Sequence, residues 1–198
     1  MDLQTVVFIG RSGSGKGTQS ELFRNFLAER APETPILYIE TGSYFRKFSK
    51  EPGYTWDLAR KTMELGHRQP DFLAAWMWAT ALVENCKGNE HIVFDGAPRA
   101  LPEARVLETV FSFYERVHTT VIFIQASEEW VEERLRERGR ADDLSPEVIA
   151  RRLAYFNKDV APVIEYYRTD SPNCKLVEIN GEQSPEKVHA DILKALRL

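Results

Sequence analysis

Along the chain, short and nearly continuous apolar runs alternate with longer stretches whose apolar residues recur at helical spacing. Residues 5–9 (TVVFI), 35–39 (PILYI), 91–94 (HIVF), 120–124 (TVIFI) and 175–179 (KLVEI) read as strands. Their lack of polar alternation is the pattern of strands covered on both faces, which predicts a parallel sheet between two helical layers. The helical stretches carry start signals. Ser127 precedes Glu128 and Glu129, a cap followed by acids at the positive helix end. Ser145-Pro146-Glu147 and Ser184-Pro185-Glu186 repeat a second device: a cap, a proline at the first helical position, then an acid. Pro162 falls inside the helical pattern that starts at Ser145, so a kink is expected there. Residues 41–66 hold aromatics and Gly-Pro punctuation without a clear strand, which predicts a small helical insert. The fold class is α/β, in one domain.

Composition narrows the partners. The chain has 198 residues, 43% apolar and 28% charged, with a net charge of −4. Those proportions are ordinary for a globular domain. A net-negative chain is not expected to bind nucleic acid or an anionic membrane, so any work on phosphates needs locally concentrated positive charge. No apolar run is long enough to span a bilayer, and Met1-Asp2-Leu3-Gln4 has no basic start of a secretory leader, so a cytoplasmic protein is expected. Cys86 and Cys174 form no CxxC pair and read as reduced thiols rather than a disulfide or zinc framework.

The chemistry begins at residues 10–18, GRSGSGKGT, which follow the first strand and open a helical pattern. This is a GxxxxGK phosphate loop in its strand–loop–helix setting. Its glycines let successive N–H groups turn toward phosphate oxygens, the helix N-terminus adds its positive dipole end, and Lys16 supplies a full mobile charge. Gly17 stands where a serine or threonine usually ligates Mg²⁺. A second cluster, Asp95-Gly96-Ala97-Pro98-Arg99, follows the strand at 91–94. It is expected at the sheet's carboxyl edge beside Lys16, with Arg99 gripping a phosphate and Asp95 orienting Mg²⁺ through water. Arg134, Arg136, Arg138 and Arg140 recur every second residue. Alone they describe a solvated helix face; beside a phosphate loop they describe a phosphate clamp.

In this order the pieces resemble the adenylate kinase family of nucleoside monophosphate (NMP) kinases. The resemblance rests on the loop in its GKGT form, Thr41-Gly42-Ser-Tyr-Phe-Arg46, Asp95-Gly-Ala-Pro-Arg99, Arg138-Gly-Arg140-Ala-Asp142-Asp143, and Arg152-Leu153 followed by Ala161-Pro162-Val163-Ile164. It covers the chain from the first strand to about Tyr167. It implies a P-loop kinase fold with a five-stranded parallel sheet, an NMP-binding insert at residues 41–70 and a lid reduced to residues 138–143, the rest being core. It implies transfer of the ATP γ-phosphoryl group to an NMP, with Mg²⁺. Nothing in the sequence compels a dimer, so a monomer is expected. Gly13, Ser14, Gly15, Lys16, Gly17, Thr18 and Arg138 would bind ATP. Thr41, Gly42, Arg46, Gln69, Gly96, Arg99 and Glu103 would bind the NMP. Lys16, Arg99, Arg134, Arg140 and Arg152 would surround the transferring group, with Asp142 and Asp143 orienting the lid arginines. Such a set neutralises charge and needs no side-chain nucleophile.

Departures from the family pattern carry further expectations. Ala97 replaces the family phenylalanine, and Ser43 the usual acid. One residue is inserted before Arg152, which leaves Arg151 as a rival for the active-site position; the downstream spacing favours Arg152. The family places a glutamine at position 103 to read adenine, whereas this chain has Glu103. An ionised carboxylate only accepts hydrogen bonds, which suits guanine or an amino-pyrimidine better than adenine's paired donor and acceptor. AMP is the expected acceptor on family grounds, with GMP or CMP/UMP as the alternative. A kinase for a small metabolite and a nucleotide-binding module without turnover are the competing readings. Tyr155, Phe156, Tyr166 and Tyr167 read as core, and Trp56 alone among the tryptophans is placed to approach a nucleotide.

Overall fold

The computed structural model describes residues 1–116, 118–138 and 145–198, and at residue 138 the backbone alone. The five predicted strands form, each within two residues of its expected ends: β1 (Thr5–Gly10), β2 (Ile36–Glu40), β3 (His91–Asp95), β4 (Thr119–Gln125) and β5 (Cys174–Asn180). They make one parallel sheet in the order β2-β3-β1-β4-β5.

The two-residue period of a strand accounts for the missing polar alternation. Val7 and Ile9 of β1, Ile92 and Phe94 of β3, and Val121 and Phe123 of β4 enter one core. Val6 and Phe8, Val93, and Ile122 and Ile124 enter the other. Both faces are therefore dry. One is covered by α4 (Asp71–Asn85), α5 (Leu101–Phe113) and α8 (Ala161–Thr169), the other by α1 (Lys16–Arg30) and α9 (Pro185–Leu196). The predicted insert contains α2 (Thr41–Phe48) and α3 (Tyr54–Glu64), which close a small core of their own around Phe45, Ala59 and the α4 residues Leu73 and Met77. Trp56 stacks on Phe48 at 5.1 Å within this unit rather than facing a ligand.

All three predicted caps form. Ser127 Oγ accepts from Trp130 N at the start of α6 (Glu128–Arg138), Ser145 Oγ from Val148 N at α7 (Pro146–Tyr155), and Ser184 Oγ from Lys187 N at α9, each at 3.3 Å. The expected disturbance near Pro162 takes a particular form. Between α7 and α8 the helix opens into one π turn, Phe156–Val160, and Pro162 sits in the first turn of α8. A proline lacks the N–H that would continue the α ladder, and the wider turn accommodates the missing bond.

At the amino end of β3 the Glu90 carboxylate accepts from Arg116 (2.9 Å) and from the backbone N–H groups of Lys87 (2.9 Å) and Gly88 (3.2 Å). Both side chains are almost fully buried. Burial would push the Glu90 carboxyl up, but its donors and Arg116 hold it below the usual carboxylate value. A depressed folded-state pKa contributes stability above the unfolded value, and that contribution disappears as pH falls through the folded one. Arg116→Met strands the carboxylate and is expected to cost about 3–5 kcal/mol at pH 7. Urea unfolding should show the gap to wild type narrowing in acid; a pH-independent gap would assign the loss to packing.

Candidate active site

The order of strands reverses between β1 and β4, and the crevice at that switch point is where ligands sit in open α/β sheets. Here it is a cavity of about 710 Å³ beyond the carboxyl ends of β1, β2 and β3. The loop after β1 forms its floor. Gly13 holds φ +88, and a Cβ there would lie 2.9 Å from Val131 O on α6, so only glycine lets the loop pack this closely. Lys16 bends back across the loop, and its Nζ donates to Arg11 O at 2.8 Å. Gly15, Gly17 and Thr18 also line the cavity. Ser14 does not: it is buried, with its hydroxyl directed at Gly10 beneath the loop. Arg11 braces the loop from outside, its guanidinium 4.2 Å from the Phe156 ring and bonded to Ala126 O and Asn157.

The opposite wall comes from β2, α2 and the segment after β3. Gly96 has φ +80, and a Cβ there would stand 2.8 Å from an Arg99 nitrogen, so the glycine makes room for Arg99 to fold back. Arg99 Nε donates to Gly96 O at 2.5 Å. Arg46 lines the cavity while paired with Glu40 at 2.8 Å. Thr41 is buried and donates to Gly96 O at 3.0 Å, tying α2 to the end of β3 rather than facing the cavity; Gly42 lines it instead. Asp95 stands beside the loop, with its Oδ2 3.5 Å from the Cβ position of Gly17. Ser20 and Tyr38 donate to that oxygen at 3.3 and 3.2 Å. Burial, and then the Asp95 charge, pushes the Tyr38 hydroxyl well above its ordinary range.

Arg134 and Arg152 complete the positive wall, and Arg134 lies 4.5 Å over the Trp130 ring. The rivalry between neighbouring arginines resolves by direction: Arg152 lines the cavity, whereas Arg151 reaches away to donate to Leu65 O at 2.7 Å. Arg140, Asp142 and Asp143, with the rest of the segment 139–143 expected as a lid, lie outside the described residues, as does the Arg138 side chain.

The base-reading expectation for Glu103 needs correction. Glu103 is 2% exposed and is not part of the cavity wall. Its two oxygens accept separately, Oε1 from the Trp78 indole N–H at 3.0 Å and Oε2 from Arg99 N at 2.7 Å. Two donors converge on one side chain, so an acceptor-only group suits the place and an amide would turn an NH₂ toward a donor. Burial pushes this carboxyl up, and the Arg99 and Trp78 bonds pull against it. Gln69 does face the cavity. It is 7% exposed, its Nε2 donates to Ala59 O at 2.9 Å, and its Oε1 has no hydrogen-bond partner among the described residues.

Several residues of the cavity wall carry no site signal in the sequence, Arg24, Tyr38 and Tyr155 among them. Arg24 sits 3.8 Å over the Tyr38 ring, but in the sequence it is an ordinary polar position of a helix. Tyr155 was grouped with the core tyrosines by its spacing, yet it lines the cavity, while Phe156 and Tyr167 are buried as expected.

The cavity wall fits a hydrated divalent cation held chiefly by the phosphates of a nucleotide. Asp95 stands in its wall beside the loop, and no cluster of three His, Cys, Asp or Glu that could hold a metal ion occurs among the described residues.

Comparison with known proteins points the same way as this geometry. The sequence model of the adenylate kinase family matches residues 8–172. Adenylate kinase 1 of Nostoc sp. (strain PCC 7120) is 33% identical over 191 residues, covering 96% of this chain and 97% of its own. The adenylate kinase of Flavobacterium psychrophilum is 33% identical over 180 residues, 89% of each chain. That of Corynebacterium glutamicum is 32% identical over 191 residues, 96% of this chain and 98% of its own. With the phosphate loop, the Asp95–Arg99 motif and the converging arginines in one crevice, the chain belongs to the adenylate kinase family and is a phosphotransferase.

Proposed function

We propose that the protein transfers the γ-phosphoryl group of ATP to AMP, giving two ADP, as a cytoplasmic monomer. The observation that carries this reading is the meeting of Lys16 with Arg99, Arg134 and Arg152 on one cavity that has a separate acceptor side at Arg46 and Gln69. The donor phosphates lie over Gly13, Gly15, Lys16, Gly17 and Thr18, where loop N–H groups and the α1 dipole favour anions. The acceptor phosphate binds Arg99 and Arg46, and Arg46 exchanges Glu40 for it. Arg134 and Arg152 stabilise charge that spreads over the transferring oxygens. Mg²⁺, when bound with the nucleotide, would supply charge neutralisation at the phosphates, and Asp95 would hold it through water.

Adenine as the acceptor base is supported by the names of the relatives and by Gln69. Gln69 lines the cavity with its Nε2 on Ala59 O, and on binding its buried, unpaired carbonyl oxygen turns outward to accept from the 6-amino group. Glu103, the residue that favoured guanine or an amino-pyrimidine, is committed to Trp78 and Arg99.

ADP formation from ATP, measured with AMP, GMP, CMP, UMP and dTMP in turn, tests the reading. AMP should give the highest kcat/KM, and an output no greater than the ATP-only control for every acceptor would reject transfer to NMPs. Lys16→Met should lose at least about 100-fold in kcat with an unchanged circular dichroism spectrum; retained turnover would remove Lys16 from the donor site. In the same panel Glu103→Gln should leave the AMP to GMP ratio within about twofold of wild type, and a tenfold change, about 1.4 kcal/mol, would return Glu103 to the base. Gln69→Leu should raise the KM for AMP about tenfold and that for ATP much less. Equal effects on both would deny it the base contact.

A further inference from the structure

Tyr155 is a residue of the crevice that neither the motifs nor the family pattern accounts for. It is the last residue of α7 and lies three positions after Arg152, so the two share a helix face. The π turn begins at the next residue, and from there Phe156 enters the core instead. The Tyr155 hydroxyl stands 3.5 Å from Ser12 Oγ, on the donor loop. The ring lines the large cavity and also a recess of about 20 Å³ behind it, shared with Ser12, Lys16, Gly96 and Arg99. A space of that size holds about one water molecule. Tyr155 thus stands where the donor loop and the acceptor clamp come closest.

Tyr155 is half-buried, and a phenol that served only packing would gain little from its oxygen, since phenylalanine fills the same volume without a polar group to satisfy. Here the oxygen has work available. A tyrosine hydroxyl offers one proton and can accept from neighbouring donors. Ser12 meets it from the loop, and the guanidinium groups of Arg99 and Arg152 act on it from the clamp. Burial raises the phenol's pKa, yet the Arg99 charge, the Ser12 bond and Arg152 bring it below the ordinary value of 10. Its proton is therefore more readily shared than that of a free tyrosine. The ring has only two rotatable bonds, so it fixes this oxygen at a small entropic cost.

We propose that Tyr155 is a positioning residue for phosphoryl transfer, its phenolic oxygen coupling Arg99 of the acceptor clamp to Ser12 of the donor loop. The proposal rests on the acceptor reading above. It makes the distance between the two substrate phosphates depend on one rigid side chain, which matters because small misplacement of reacting atoms is heavily penalised.

Tyr155→Phe removes the oxygen and keeps the ring. With ATP and AMP as substrates, kcat is expected to fall about tenfold and the KM for AMP to rise several-fold. The Kd for ATP alone, by calorimetry, should stay within about twofold, with Tm almost unchanged. Ser12→Ala, and the double variant, complete a cycle in which the second substitution should add little to the first. Wild-type kinetics for Tyr155→Phe, fully additive losses, or a lowered Tm with parallel weakening of ATP and AMP would each overturn the proposal. Wild-type protein in the same plates separates the two readings. No AMP-dependent ADP from wild type would remove the acceptor reading and this one with it, whereas an active wild type matched by Tyr155→Phe would remove this one alone.

Discussion

The structure depends on keeping several cations beside one another in a single crevice of a chain whose net charge is −4. Like charges at close range repel. The protein meets this with local acceptors. Lys16 is folded onto Arg11 O, Arg99 onto Gly96 O, and Arg46 onto the Glu40 carboxylate, while Arg134 lies over the Trp130 ring. Three of the four are held by hydrogen bonds that a phosphate oxygen can replace, so binding exchanges one set of acceptors for another. The parallel sheet makes the arrangement possible. Its carboxyl ends deliver Gly10, Glu40 and Asp95 to one edge, and the loops that follow carry the cations.

Glu103 illustrates how a residue's chemistry follows its neighbours rather than its place in a motif. Its position in the sequence suggested recognition of a base. In the fold, α4 brings the Trp78 indole beneath it, and the backbone turn before α5 presents Arg99 N from above. Both are donors, and a carboxylate answers both. The glutamate then supports the backbone of Arg99, the residue assigned to the acceptor phosphate, and acts on the site through it. Gln69 has the reverse history. The resemblance implied an acceptor-side role for it, and in the fold it lines the cavity with one end of its amide held by Ala59 O and the buried other end unpaired among the described residues.

The π turn after α7 has a comparable effect on its flanks. A regular helix through residues 146–169 would conflict with Pro162. Opening the helix at Phe156–Val160 resolves that conflict, and Arg152 and Tyr155 face the crevice immediately before the opening while Phe156, Val160 and Val163 enter the core after it. Chain geometry and site geometry are settled by the same local feature.

Much of this molecule was legible from its residues alone. The strands declared themselves because a strand dry on both faces must be apolar at every position, and the caps of α6, α7 and α9 because a helix start needs a side-chain acceptor within three residues. The phosphate loop declared itself for the same reason: its requirements of turning backbone, lysine and helix start are contiguous in the chain. What lay beyond the sequence involved partners far apart along it. Trp78 meets Glu103 across 25 residues, Ser12 meets Tyr155 across 143, and Arg151 finds Leu65 across 86, which leaves the crevice to Arg152. The sequence determined which elements form and which carry phosphate chemistry, since propensity, capping and loop curvature are local. Only the tertiary structure decided which buried polar group faces the ligand and which faces the protein, because that depends on where packing brings donors and acceptors together.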